Sequence, residues 1–122
     1  MPMTLLEAIA RQEGFYVSGS RSNRNNNPGD IEYGIFARNH GADSIEILGP
    51  HRIPRFAHFP TPELGFIAMK ILFAEHYQGL DVGQAILKYA PPVENDTNDY
   101  IKNICTWANC SASDSITKVL GL

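Results

Sequence analysis

The apolar run from Leu64 to Ala74, L-G-F-I-A-M-K-I-L-F-A, constrains the chain most. Thr61-Pro62-Glu63 ahead of it is a helix start: a capping hydroxyl, a proline whose missing N–H costs nothing at the first helical position, then an acid. The helix that follows carries Leu64, Ile67, Ala68, Ile71, Leu72 and Ala74, with Phe66, Met69 and Phe73 on its other sides. A helix apolar nearly all round is expected to be buried, so the rest of the chain must wrap it. At 122 residues, 43% of them hydrophobic, there is material for one domain and one core. The run is broken by Lys70 and is too short to span a bilayer.

The wrapping elements announce themselves by their ends. Thr4 and Glu7 form a capping box that opens a first helix, and Gly14 is its natural stop. Asp81 and Gln84 repeat the device for a helix through Ile86, Leu87 and Tyr89, closed by Pro91-Pro92. A further helix is predicted from about Asn95–Asp99 through Trp107, and a short last one from about Ser113 to Leu120. Between the first helix and Thr61 the pattern weakens. Ser18 to Asn27 reads as a polar, solvated loop, closed by an Asn27-Pro28-Gly29-Asp30 turn. Short alternations at Ile31/Tyr33/Ile35, Ile45/Ile47 and Phe56–Phe59 suggest two or three small strands, with one helical turn at Phe36–His40. The expected fold class is α+β: mostly helical, one domain over residues 1–122, with a small irregular sheet after the first helix.

One residue stands out chemically. Leu5, Ile9 and Glu13 recur every four residues, so Glu13 continues the apolar stripe of the first helix into its last turn. Partial burial and the negative end of the helix dipole both disfavour its charged form. A carboxyl so placed suits general-acid work near neutral pH, although locally a solvated glutamate at a core rim is the commoner outcome.

Other chemistries are poorly represented. A net charge of −3 argues against general affinity for nucleic acid or acidic membranes. His40, His51, His58 and His76 are scattered without ligand spacing, so neither a metal nor a cofactor is expected. No glycine-rich phosphate loop or serine nucleophile elbow is present. Cys105 and Cys110 would lie on different faces of one continuous helix. A disulfide therefore needs that helix to end between them, which Asn109 allows; two free, mostly buried thiols are the default. No signal-peptide pattern opens the chain, so synthesis in the cytoplasm is expected.

Several pieces taken in order carry a resemblance. A helix ends in Glu13-Gly14, and Asn-Asn-Pro-Gly-Asp follows at residues 26–30. Then come R-F-A-H-F-P-T-P-E-L-G-F and Y-A-P-P-V-E-N-D-T-N-D-Y-I. Together, over roughly Leu6 to Trp107, they resemble the small lysozyme-like peptidoglycan-cleaving domains of phage lysins, phage virion proteins and secreted bacterial effectors. The nearest likeness is to the lytic-transglycosylase branch.

The resemblance implies cleavage between N-acetylmuramic acid and N-acetylglucosamine in glycan strands of the bacterial wall. It implies Glu13 as the catalytic acid, and Asn26, Asn27 and Asp30 as substrate or loop-fixing contacts at the lip of the cleft. Tyr89 matches the tyrosine that faces the acid, while Glu94, Asn95 and Tyr100 match residues of the cleft floor. Asp30 stands where the pattern expects asparagine. A monomer is expected, reaching the wall after phage lysis, on a virion or by specialised secretion, without inserting into a membrane.

A hydrolase usually needs a second carboxylate, and Asp30, Glu32 and Glu94 are the candidates. Glu32 alternates with apolar neighbours and reads first as a solvated strand residue. A transglycosylase needs one acid only, and with one well-placed glutamate that route is preferred over the hydrolytic one. A non-catalytic wall-binding module and a phage or secretion assembly protein are the competing classes.

Overall fold

A computed structural model describes residues 2–122. The chain is α+β and mostly helical. In order come α1 (Leu5–Gln12), α2 (Arg21–Arg24), α3 (Ile35–Asn39), β1 (Ser44–Ile45), β2 (Ala57–His58), α4 (Pro62–His76), α5 (Val82–Tyr89), α6 (Thr97–Ala108) and α7 (Ile116–Val119). Among the described residues no helix is long and apolar enough to cross a membrane. They fall into two compact units: Glu13–Met69, and the residues up to Gln12 together with Lys70–Leu122.

In the second of these units, α1 lies against α6. The α1 start is the predicted box: Thr4 N–H donates to Glu7 Oε1 at 2.9 Å, and Glu7 N–H to Thr4 Oγ1 at 3.1 Å. Arg11 sits over the Trp107 ring at 4.1 Å, and Asn103 Nδ2 donates to Gln12 Oε1 at 3.1 Å, so the last turn of α1 is pinned to α6. The predicted box at Asp81 and Gln84 also forms, and opens α5. α6 starts on Asp96 and ends on Asn109, which is left-handed at φ 53°. Ile9, Phe73, Val82, Ile86, Ile104 and Ile116 make the core of this unit.

In the Glu13–Met69 unit, β1 and β2 pair antiparallel with Ser44 opposite His58 and Ile45 opposite Ala57. An isolated bridge, Glu32 to Phe56, extends the pairing. The core is Phe15, Ile31, Ala37, Ala57, Phe59, Ala68 and Met69. Thr61 Oγ1 caps α4 by accepting from Leu64 N–H at 3.3 Å. α4 is not wrapped on all sides: Ile67 is half exposed, and Glu63 and Lys70 face solvent.

Two expectations need correction here. The stretch from Ser18 to Asn27 is not a flexible loop. Ser20 caps α2, and three side chains tie the segment to the chain just past α1. Ser20 Oγ donates to Gly14 O at 2.6 Å, Ser22 Oγ to Glu13 O at 3.2 Å, and Asn23 Nδ2 to Phe15 O at 3.1 Å. These carbonyls belong to the turn that follows α1, and short polar side chains are suited to satisfy such backbone groups. The second concerns the thiols: Cys105 and Cys110 are free but only half-buried.

Candidate active site

α1 ends at Gln12, so Glu13 is the first residue beyond the helix and not part of its last turn. Gly14 follows at φ 83°, a conformation that an L side chain resists, and it turns the chain sharply after Glu13. The Glu13 side chain is half-buried and hydrogen-bonded to that of Asp30. Two carboxyls can share a hydrogen bond only if one is protonated. The pair therefore holds one proton between its two carboxyls.

Asp30 is held against Glu13 by its own backbone. Its N–H donates to Asn27 O at 3.2 Å, closing the predicted turn, and the residue is left-handed at φ 48°. Asn and Asp are the side-chain-bearing residues that enter this region at least cost, which accounts for an aspartate where asparagine was expected. Burial pushes the Asp30 carboxyl up to about 6, opposed by the Arg21 guanidinium and the bond with Glu13. One of its oxygens, Oδ1, is buried with no hydrogen-bond partner.

The neighbouring asparagines are braces. Asn27 is fully buried; its Nδ2 donates to Ile31 O and Ala57 O, both at 2.9 Å, and its Oδ1 accepts from Ile31 N–H at 2.9 Å. With its amide used up and no exposed surface, Asn27 fixes the loop and makes no substrate contact. Asn26, left-handed at φ 51°, donates from Nδ2 to Phe59 O at 2.9 Å. Its carbonyl packs on α4 at Gly65, where a Cβ would come within 2.2 Å of Asn26 O and 2.7 Å of Pro28 Cδ. The turn thus sits against helix backbone at a distance only glycine permits.

Beneath this loop lies a group the sequence did not disclose. Glu46 lies between Ile45 and Ile47, which alternate in the sequence. It is buried, while Ile47 is 93% exposed and Ile45 is exposed too. Its Oε1 accepts from Arg21 Nε at 2.8 Å and Asn25 Nδ2 at 3.3 Å. Its Oε2 accepts from Arg21 Nη2 at 2.5 Å and from the N–H groups of Arg55 and Phe56 at 2.9 and 2.8 Å. These donors, the Arg21 bond foremost, hold the Glu46 carboxyl down at about 2 despite its burial. No alternation runs through it: Ser44 and Ile45 of β1 are both exposed, and Glu46 lies just past the strand. The one signal was a lone carboxylate centred in an apolar alternation, and its partner lies 25 positions away.

Glu32, the possible second acid, is exposed and ion-paired to Arg55 (Oε1 to Nε, 2.6 Å). The remaining candidates belong to the other unit. The Tyr89 ring packs on Phe73 and Tyr77 at centroid distances of 5.0 and 6.1 Å. Tyr100 is only 2% exposed, so its ring fills the core and has no surface for a sugar in this conformation. Glu94 is exposed, with its N–H donating to Pro91 O at 3.1 Å. Asn95 donates from Nδ2 to Pro91 O at 3.3 Å and lines a cavity of about 420 Å3 with Leu87, Pro92, Asp96, Thr97 and Asn98.

Of the predicted site residues, Glu13 and Asp30 therefore meet directly, and Asn26 and Asn27 hold the loop that brings Asp30 there. A second cavity of about 280 Å3, lined by Arg24, Asp43, Ile45, Glu46, Ile47 and His58 among others, opens beside β1 and β2. Among the described residues no group of three or more His, Cys, Asp or Glu side chains is arranged to hold a metal ion. Compared with protein-family models and with curated proteins, the chain matches none.

Proposed function

We propose that this chain cleaves the glycan strands of bacterial peptidoglycan, at the bond between N-acetylmuramic acid and N-acetylglucosamine, as a lytic transglycosylase with Glu13 as its acid and base. The observation that carries the reading is the Glu13–Asp30 carboxyl pair, whose hydrogen bond keeps one proton in the site. Glu13 passes its proton to the glycosidic oxygen as the bond to muramic acid C1 breaks. The resulting carboxylate then takes the proton of the muramic acid C6 hydroxyl, whose oxygen closes onto C1. The product is a 1,6-anhydro end, and Glu13 is protonated again.

The position of the other acids favours this one-acid route. Carboxyls that flank a sugar stand about 5–9 Å apart in glycosidases, whereas Glu13 and Asp30 are in direct hydrogen-bond contact. Such a pair acts from one side, with the hydrogen bond to Asp30 keeping the Glu13 carboxyl oriented. Glu46 is committed to Arg21 and backbone donors, and Glu32 to Arg55. One observation supports hydrolysis as the second reading: Asp30 is a further carboxyl in the site, ionising near 6, able to serve a water once the pair separates.

The place of action under this reading is the cell wall, reached by phage lysis, virion delivery or specialised secretion. The test is Glu13→Gln assayed on peptidoglycan by turbidity and zymogram, with circular dichroism to establish folding. The expected result is a folded protein without lytic activity. Unchanged activity removes Glu13 from the mechanism, and a wild-type protein that binds the wall without lysing it makes the chain a binding module.

A further inference from the structure

Where α6 ends, two thiols meet. Asn109 is left-handed at φ 53°, and the chain folds back so that Cys110 N–H donates to Cys105 C=O at 3.1 Å. This closing bond belongs to a helix-ending motif that brings together the side chains on the two sides of the left-handed residue, usually an apolar pair. Here those side chains are Cys105 and Cys110, and their sulfurs are hydrogen-bonded to each other. Both are half-buried, so they face each other without being sealed from solvent. On one continuous helix these residues would point to different faces, but the helix ends at Asn109, between them, as a pairing requires.

We propose that Cys105 and Cys110 are a disulfide-forming pair, a covalent modification site that closes a ring around Asn109 and locks the end of α6. The backbone is already in the ring-closed arrangement in the dithiol form, since the Cys110 N–H to Cys105 O bond spans the same residues. With a small disulfide oxidant such as oxidised glutathione, the thiolate of one cysteine attacks the glutathione disulfide and expels one glutathione thiolate. The second cysteine then attacks the protein sulfur of the mixed disulfide and expels the other. One sulfur–sulfur bond forms and one breaks, and the two protons end on the two released glutathiones.

The second step is intramolecular between groups already in contact, so the mixed disulfide does not accumulate. The first step is slow, because burial holds both thiols above their ordinary value, and the neighbouring Cys105 adds to the rise of Cys110, which reaches about 12. Locking this end matters mechanically, since Trp107 and Asn103 on the same helix pin the last turn of α1.

The experiment is incubation of the full chain with oxidised glutathione, followed by alkylation and intact mass under non-reducing conditions. Two variants, Cys105→Ser and Cys110→Ser, are treated alongside. The expected wild-type product is a monomer lighter by two hydrogens with no alkylatable thiol, while each variant carries one glutathione. A wild type bearing two glutathiones, one retaining two alkylatable thiols after prolonged incubation, or one linked into dimers overturns the proposal.

Discussion

Replacing Glu46 by glutamine tests the buried ion pair beneath the candidate site. The carboxylate collects five donors, three on Oε2 and two on Oε1. A glutamine has one acceptor oxygen, so its NH2 group must point either at two backbone N–H groups or at Arg21 and Asn25. The magnitude follows from the carboxyl's displacement from 4.5 to about 2, worth about 3 kcal/mol at roughly 1.4 kcal/mol per pH unit. Arg21 is 34% exposed, and solvent screening of its share brings the expected loss to about 2–3 kcal/mol at pH 7.

The sign with pH is fixed. A folded-state value below the ordinary one gives stability that is present above about 4.5 and lost as pH falls through about 2. Urea denaturation of wild type and Glu46→Gln should therefore show a constant gap from pH 7 to 5 that closes toward pH 2. At pH 7 the thermal midpoint should fall by roughly 10 °C. A gap under about 1 kcal/mol at pH 7, or one that does not narrow with acid, refutes the reasoning.

Asp30→Asn should act with the opposite sign: the folded state raises this carboxyl from 3.8 to about 6, so its ionisation erodes stability as pH rises through that window. The variant should gain up to about 2 kcal/mol on wild type above pH 6 and little at pH 4, and its cleavage rate should lose the inflection near 6; equal urea midpoint differences at pH 4 and 7 would contradict this. Gly65→Ala drives a Cβ to 2.2 Å from Asn26 O and should cost roughly 1–3 kcal/mol and displace the loop that carries Asp30, read by thermal melts and by loss of activity. An unchanged melting temperature would mean the close approach is easily relaxed. Tyr89→Phe keeps the ring against Phe73 and Tyr77, so stability should change by less than about 1 kcal/mol in thermal melts; a larger loss would show that the hydroxyl carries a structural hydrogen bond.

What could be read from the sequence was what is local. The Thr4–Glu7 and Asp81–Gln84 boxes and the Thr61-Pro62 start each involve residues three apart or adjacent, and each forms as expected. The Asn27–Asp30 turn was legible for the same reason. The contact of Asp30 with Glu13 was not, because it depends on α2 folding the segment back onto the carbonyls past α1. Glu46 escaped because hydropathy favours burying Ile45 and Ile47, whereas the structure buries Glu46 and leaves Ile47 in solvent. Arg21 reverses that choice by neutralising the carboxylate from a distant stretch that reads as a polar loop. Asn26 and Asn27 were singled out as residues that matter, but their work is on backbone carbonyls.

Under the proposed route Glu13 cuts glycan strands with the muramic acid C6 hydroxyl, and not water, as the nucleophile. The measurement that meets it most directly is the mass of the soluble fragments released from purified peptidoglycan. The expected fragments are muropeptides ending in 1,6-anhydro-muramic acid, each lighter than the hydrolytic product by one water and absent with Glu13→Gln. Fragments carrying only reducing muramic acid ends would contradict it and make Asp30 the partner carboxylate of a hydrolase.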